Sequence, residues 1–394
     1  MAAGDRVLIV APHPDDESVG CGGLIASAVA TSAAVRVVYV TNGDAFRVSA
    51  ERVFSEKGVA SHDYEKLAQM RRREAVTALA RLEIDRSHAV FLGYPDRGID
   101  QLWLRNWSPA EPYTSRYTKV DHGPYGDSLR PHAPYAGRAL LDDLESVIRS
   151  FRPTIVVAPH PSDSHSDHWA SYCFTVAALY ETRLLGSVRM WLYLVHMQNR
   201  WRSPSGKRMD PTAMPEKPDG YGTRWYALPL SANGARRKRE AIQEHSTQLL
   251  IMKDWLMNFA RSRELYGRVT LGAFGPERAL QAKQPPAGRD AIPEGTILPL
   301  SMSMASHGLR VRLDTGGQPA AKIEYRAHVH FLHGGRVGPP ERFVLRHRPG
   351  QSSQFVEAIV APAPHDVDGV MCAVAAWRGS TQLDRMHWTA VRVP

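Results

Sequence analysis

Short apolar runs separated by helix-length stretches constrain the first two-thirds of this chain more than any other feature. Arg6–Pro12 (RVLIVAP), Val35–Thr41 (VRVVYVT), Ala89–Leu92, Thr154–Ala158 and Met190–Val195 are too short to be core helices. They have the character of strands covered on both faces in a parallel sheet. Between them, Glu17–Ala30 is small and apolar, a tightly packed helix. Ser61 or Asp63 can cap a second helix running to about Leu82, with Leu67, Met70, Val76 and Leu79 at helical spacing. Arg138–Phe151 and Ser166–Leu184 complete the alternation. This pattern predicts an α/β fold, a Rossmann-like, doubly wound and mostly parallel sheet. Right-handed crossovers then bring all strand C-termini to one edge, where ligands bind.

The remaining segments are less regular. Residues 94–137 are rich in Pro, Gly, Tyr and Trp and lack clear periodicity, a pattern of lids and binding loops. The aromatic side chains there (Tyr94, Trp103, Trp107, Tyr113, Tyr117, Tyr125, Tyr135) could stack on sugar faces or pack the loop itself. Residues 199–224 form a polar, proline-containing loop, and one helix is expected over Ala232–Phe259. After a Pro/Gly-rich stretch the tail changes to alternating runs: Leu309–Leu313, Lys322–Phe331, Gln354–Val360, Val370–Ala376 and His387–Val393. That spacing suggests a smaller all-β, sandwich-like domain. The expected organisation is a catalytic domain over 1–280, a linker over 281–295 and the β domain over 296–394.

Composition narrows the class of protein. With 43% hydrophobic and 23% charged residues over 394 positions, the chain can bury a core without disulfide or metal staples. The three cysteines, Cys21, Cys173 and Cys372, form no CxxC pair and suggest neither a zinc ribbon nor a disulfide framework. The +9 charge is spread along the chain. Its one dense run, Arg236-Arg237-Lys238-Arg239, reads as a solvated helix face, so no nucleic-acid partner is expected. No apolar stretch is long enough for a transmembrane helix, and no signal-peptide pattern opens the chain, so a cytoplasmic location is expected. The sequence leaves the oligomeric state open.

Chemistry concentrates at two strand ends. His13-Pro14-Asp15-Asp16-Glu17 follows the first strand, and His160-Pro161-Ser162-Asp163-Ser164-His165-Ser166-Asp167-His168 follows the fourth. Either cluster alone could be a capped turn or a polar loop. If strands one and four are neighbours, as in a 3-2-1-4-5 order, both face one pocket. One His and one Asp from the first cluster and one His from the second supply three ligands to a catalytic zinc. A spare carboxylate remains as general base, and a spare His as acid or oxyanion donor. Gly20-Cys21-Gly22-Gly23 does not form a dinucleotide fingerprint; its glycines suit close helix–strand packing. His328, His330 and His333 read as strand histidines rather than as a second metal site, and Cys21 as a buried thiol.

Ala11-Pro12-His13-Pro14-Asp15-Asp16-Glu17 resembles the PHPDDE signature of the PIG-L (LmbE-like) deacetylases, and His165-Ser166-Asp167-His168 is similar to their second signature. Weaker matches lie in order at Thr41–Asp44, Leu92–Asp96 and His245–Gln248, so the resemblance covers about residues 5–260. It implies zinc ligands His13, Asp16 and His168, with Fe2+ or Co2+ also compatible. It implies Asp15 as general base, His165 as oxyanion stabiliser or acid, and Asp167 as the group that orients a histidine. Arg71 and Asp96 match positions that bind sugar hydroxyls, with Arg72 or Arg73 as alternatives to Arg71. His160 and Asp163 fall outside the short motif. The implied reaction is metal-dependent removal of an N-acetyl group from an N-acetylglucosamine-containing substrate, a small amino sugar, oligosaccharide or glycoconjugate. Alternatives are a zinc amidase acting on another N-acyl compound, or an inactive carbohydrate-binding protein.

Overall fold

The computed structural model describes residues 1–54, 58–196, 210–212, 223–269, 272–273, 300–305, 308–314, 323–346, 355–360, 367–385 and 388–392. The chain divides into two compact units, residues 1–214 with 225–268, and residues 215–224 with 269–394. The expected linker over 281–295, and most of the loop over 199–224, lie outside the described residues.

The first unit runs β1 (Arg6–Ala11), α1 (Asp16–Ala30), β2 (Ala34–Thr41), α2 (Arg47–Phe54), α3 (Ser61–Arg81), β3 (Ala89–Tyr94), α4 (Ile99–Leu104), α5 (Gly137–Phe151), β4 (Ile155–Pro159), α6 (Ser166–Glu181), β5 (Arg189–Tyr193), β6 (Arg224–Pro229), α7 (Ala232–Gln243), α8 (Ser246–Met257) and β7 (Arg263–Arg268). Its seven strands lie in the order β3-β2-β1-β4-β5-β7-β6. The five strands expected from the sequence are parallel, in the expected order. β7 joins antiparallel to β5, pairing Gly267 with Leu192. The central strand β1 pairs Val7 with Val35 of β2 and with Ile155 of β4. Val7–Ala11 and Ile155–Pro159 are buried throughout, as expected for strands packed on both faces.

Local chemistry sets the helix ends. The Asp63 carboxylate accepts the Ala60 N–H at 3.0 Å and satisfies a donor at the start of α3. α5 ends where Arg152 turns left-handed at φ 52°. α1 depends on missing side chains: a Cβ on Gly20 would lie 2.5 Å from the Tyr193 ring, and one on Gly23 2.3 Å from Leu230. The Gly20–Gly23 segment therefore packs closely on its neighbours.

Three expectations need correction. The helix anticipated over Ala232–Phe259 is two helices broken at Glu244–His245. There His245 Nε2 is drawn 3.0 Å from the buried Glu17 carboxylate, while Glu74 accepts from Ser246 Oγ, Thr247 N and Thr247 Oγ1. Tertiary hydrogen bonds thus outcompete continued helical pairing. The 94–137 segment contains α4, and Tyr94, Trp103, Trp107, Tyr125 and Tyr135 are buried, so loop packing is their main role. Trp103 and Phe174 meet edge-on at 4.9 Å. Finally, Lys238 is not on a solvated face. It is buried, and its ammonium lies 2.7 Å from Glu264, which also accepts from Gly23 N, Leu24 N and Tyr266 Oη.

The second unit consists of β8 (Gly272–Ala273), β9 (Leu300–Ala305), β10 (Gly308–Asp314), β11 (Glu324–His333), β12 (Arg336–Leu345), β13 (Phe355–Val360), β14 (Val367–Arg378), β15 (Thr381–Arg385) and β16 (Thr389–Arg392). β13-β10-β9 form one sheet and β12-β11-β14-β16-β8 another, with β15 on β14. All pairings are antiparallel except β16 with β8. Tyr325, Ala327, Val329 and Phe331 alternate inward with Val370, Cys372, Val374 and Ala376, and share a core with Val311, Leu313 and Val356. This is the period-2 packing of two stacked sheets. The strand histidine His330 is buried, with Nδ1 2.9 Å from the Gly338 carbonyl. Among the described residues, no helix is long and apolar enough to cross a membrane.

Replacing Lys238 with Met leaves the Glu264 carboxylate buried without its cation. The expected loss is about 3–5 kcal/mol, the cost of breaking a buried ion pair, read as a lower urea midpoint. A midpoint within error of the parent protein would show that the pair is not needed for stability.

Candidate active site

Where β1 ends, Pro12–Asp15 turns the chain into α1. Thr41, at the end of β2, fixes this turn: its N and Oγ1 both donate to the Pro12 carbonyl, at 3.0 and 2.9 Å. Asp15 adopts φ 140°, a left-side conformation rare for a side-chain-bearing residue. It is held there by its own N–H, which donates to Glu17 Oε2 at 3.0 Å, and by its carbonyl, which accepts from Ser18 N and Val19 N. Glu17 is in turn anchored by Ser18 and His245. Strain of this kind, maintained by several contacts, is a mark of functional positions.

The β4 end supplies the second half. His165 caps α6, its Nδ1 accepting from Asp167 N at 3.3 Å. That bond assigns the ring proton to Nε2 and leaves it as an N–H donor. Asp16 Oδ2 accepts the His13 N–H at 2.9 Å and lies 3.2 Å from both His13 Nδ1 and His168 Nε2. On its other side, His13 Nε2 meets Asp167 Oδ2 at 3.1 Å and Asp96 Oδ1 at 3.3 Å. His168 Nδ1 meets Asp163 Oδ2 at 3.1 Å. Each of these two histidines therefore has one nitrogen toward Asp16 and the other backed by a carboxylate, the arrangement that orients metal-binding imidazoles. His13, His165 and His168 also present donor atoms all within 4.8 Å of one another.

Charge is concentrated here to an unusual degree. Burial works against ionised His13, yet Asp96, Asp16 and Asp167 push its pKa well above the usual histidine range. Burial likewise opposes charge on His168, and Asp16 and Asp163 outweigh it, pushing the pKa up to about 10. Asp16 and Asp163, despite burial, are held well below the ordinary carboxylate range by their histidine partners. Asp96 is also lowered against its burial, by His13 and Arg71. Burial raises Asp167, partly offset by His13. Burial, with the neighbouring histidines, drives His165 well below its normal value and keeps it neutral. Asp15 is pushed up to about 6 by burial, against the pull of Arg71 and with the push of Asp16.

These residues open onto a cavity of about 250 Å3 lined by His13, Asp15, Asp16, Asp96, His165 and His196, with Arg71, Arg97 and Gln248. Val19, Phe46, Val195, Met252 and Trp255 form its apolar side. The sequence left three arginines open, and it is Arg71 that reaches the cavity. Its guanidinium donates to Pro14 O at 2.9 Å, Gly43 O at 3.0 Å and Asp15 Oδ2 at 3.3 Å. Gly43, at φ 70°, makes room for it; a Cβ there would lie 2.0 Å from Arg71 Nη1. Arg72 instead pairs with Asp127 and covers the Phe91 ring, and Arg73 is exposed. Asp96 accepts from Ala45 N at 3.0 Å as well as facing His13. Asp167 accepts from Arg97 N and Ile99 N, which ties the β3 loop to α6.

Sequence reasoning left Asp163 unassigned and missed His196. Asp163 is fully buried and accepts from His165 N, Val195 N and His196 N while facing His168. His196 follows β5 at the same sheet edge and stacks on Trp255 at 5.5 Å; that edge position was the available signal. His160 is buried against Trp225 and does not line the cavity.

A cluster of histidines and aspartates at the carboxyl edge of a doubly wound sheet defines a candidate metal-dependent hydrolase site. Residues 8–179 match the family model described as PIG-L: GlcNAc-PI de-N-acetylase. Among similar proteins is the 1D-myo-inositol 2-acetamido-2-deoxy-alpha-D-glucopyranoside deacetylase of Mycobacterium sp. (strain KMS). It is 34% identical over 176 residues, which is 44% of this chain and 50% of that protein. The protein of the same name from Mycolicibacterium gilvum (strain PYR-GCK) is 28% identical over 303 residues, 73% of this chain and 94% of that protein. The chain thus spans about half the length of the first of these relatives. Among solved structures, the N,N'-diacetylchitobiose deacetylase of Pyrococcus horikoshii is 18% identical with a TM-score of 0.41, covering 68% of this chain and 84% of that one.

Asp44 gives a pH test of the loop that frames the cavity. Burial and the nearby Asp96 push its carboxyl up to about 7, against the pull of the Tyr125 hydroxyl, which donates to it at 2.7 Å. A carboxyl raised in the folded state contributes full stability only below its unfolded value of about 3.9, and loses that contribution as pH rises toward 7. Asp44→Asn, permanently neutral, is therefore expected to gain stability relative to the parent protein at pH 8 compared with pH 5. Equal denaturation midpoint differences at the two pH values would contradict the buried, protonated carboxyl.

Proposed function

We propose that this protein is a metal-dependent hydrolase that removes the N-acetyl group from an N-acetylglucosamine-containing amino sugar, releasing acetate and a free amine. The observation that carries the reading is the Asp16 carboxylate held 3.2 Å from both His13 and His168, beside the strained Asp15. Ligands about 2.0–2.1 Å from a tetrahedral zinc stand roughly 3.3 Å apart, so the Asp16–His13 and Asp16–His168 spacings support His13, Asp16 and His168 as its holders. The charge fits too: Asp96, Asp16, Asp167 and Asp163 raise His13 and His168 toward their charged forms, so the surroundings favour positive charge where a divalent cation would sit. Zn2+ suits the donor set, and Fe2+ or Co2+ would satisfy it as well. Such a cation supplies Lewis-acid polarisation of the amide carbonyl and acidifies a water.

The protein's own groups do the rest. Asp15, poised near pH 6 and steadied by Arg71, takes a proton from the attacking water. The water oxygen bonds to the acetamide carbon, and the neutral His165 donates its Nε2–H toward the developing oxyanion. The C–N bond then breaks, the abstracted proton goes to the departing nitrogen, and acetate and amine separate. Asp167 and Asp163 are positioning residues, holding His13 and His168. Arg71 and Asp96 would meet sugar hydroxyls from the cavity wall while steadying Asp15 and His13. The names of the PIG-L model and of the mycobacterial relatives support the deacetylase class.

The test is release of free amine by the Zn2+-loaded protein from N-acetylglucosamine, its oligomers, its inositol conjugate and a glycopeptide. Asp15→Asn is expected to lose about 10²–10⁴-fold in kcat while binding metal normally by elemental analysis. A metal-replete Asp15→Asn protein with parental activity would remove Asp15 from the mechanism, and inertness of the metal-loaded parent on every substrate would reject the reading. Asp163→Asn should weaken Zn2+ binding by about 10–100-fold in a chelator competition. An unchanged affinity would make Asp163 a folding residue only.

A further inference from the structure

Arg97 sits in the turn between β3 and α4 and lines the cavity. Its backbone is left-handed, with φ 58°, a conformation that a long side chain adopts at a cost and that glycine takes freely. Two hydrogen bonds hold the turn: Arg97 N donates to Asp167 Oδ2 at 2.6 Å, and Gly98 N to Pro95 O at 3.1 Å. The first of these ties the residue to the carboxylate behind His13. Yet the guanidinium has no hydrogen bond or ion pair among the described residues, and the residue is exposed.

The other cavity arginine is different. Arg71 is buried, and its guanidinium is already held by Pro14 O, Gly43 O and Asp15. The cavity carboxylates are likewise engaged, Asp15 with Arg71, Asp16 between His13 and His168, and Asp96 with His13. A planar five-donor cation thus extends from held, strained backbone at the cavity wall, its fork unoccupied among the described residues. Guanidinium forks match carboxylate and phosphate oxygens in two parallel bonds.

We propose that Arg97 recognises an anionic substituent, a carboxylate or a phosphate, carried by the amino-sugar substrate, and so selects charged over neutral N-acetyl sugars; this rests on the deacetylase reading above. The anion pairs with the fork while the acetamide lies at His13, Asp15, Asp16 and His165. Electrostatic recognition at an exposed cation is screened by salt, so the preference should shrink at high ionic strength.

The experiment measures amine release by the Zn2+-loaded full-length protein and its Arg97→Gln, Arg97→Lys and Arg97→Gly variants. The substrates are methyl N-acetylglucosaminide as the neutral case, N-acetylglucosamine 6-phosphate and 1-phosphate as the phosphate arm, and N-acetylmuramic acid as the carboxylate arm. The parent is expected to favour at least one anionic substrate tenfold or more in kcat/KM, and the arm that wins names the anion. Arg97→Gln should cut that preference at least tenfold, mainly through KM, with partial rescue in Arg97→Lys and erosion of the parental preference in 0.5 M NaCl. Arg97→Gly should lose the preference while raising Tm, because glycine removes the backbone strain. No anionic preference in the parent, or an equal fall on neutral and anionic substrates in Arg97→Gln, overturns the proposal while leaving the deacetylase reading intact. If no substrate is hydrolysed, calorimetric titration with glucosamine 6-phosphate and inorganic phosphate decides it separately. Binding weakened tenfold or more by Arg97→Gln supports the anion site, and equal or absent binding rejects it.

Discussion

Everything at the proposed site depends on the parallel pairing of β1 with β4. Their register, Val7 opposite Ile155, brings together turns that are about 150 residues apart in the chain. One turn contributes His13, Asp15 and Asp16, and the other His165, Asp167 and His168. The pairing is possible because both strands are apolar on both faces and can occupy the centre of the sheet. A polar residue within either strand would have to be buried without a partner, at a cost of a few kcal/mol. The central position of β1 is also what leaves a crevice at this edge, since the chain moves away from it in opposite directions on either side.

Within that crevice the second constraint is charge compensation. Of the five aspartates of the site, Asp16, Asp96, Asp163 and Asp167 are buried and Asp15 is partly buried. Such a density of carboxylates persists only if each is matched. His13 and His168 face four of them, Arg71 steadies Asp15, and backbone N–H groups at Ala45, Arg97, Ile99, Val195 and His196 donate to their oxygens. The site is therefore rigid by necessity: moving one member exposes another to an uncompensated charge. The same rigidity explains the conformations of Asp15 and Arg97, which are strained individually and stabilised collectively.

Much of the first unit was legible in order and type, because short apolar strands and amphipathic helices each carry a local period. What local reasoning missed were elements whose pattern is set by distant partners. α4 is a short helix in a segment that appeared irregular, since its Trp103 packs on Phe174 of α6 rather than on a neighbour in sequence. The break between α7 and α8 has no Gly or Pro to announce it; it is produced by Glu17 and Glu74 pulling on His245, Ser246 and Thr247. Lys238 looked solvated because three arginines surround it in sequence, and only the fold reveals Glu264 beneath it.

The sequence alone determined the composition of the site. The types and spacing of His13, Asp15, Asp16, His165, Asp167 and His168, each cluster directly after an apolar strand, pointed to metal-and-carboxylate chemistry. It also made a 3-2-1-4-5 strand order the expectation, because crossover handedness and burial leave few alternatives. Only the tertiary structure decided which nitrogen of each histidine faces which carboxylate, that Arg71 rather than Arg72 or Arg73 reaches the cavity, and that Asp163 and His196 join the group. Those outcomes depend on side-chain directions and on contacts between residues far apart in the chain, and neither is encoded in any local period of the sequence.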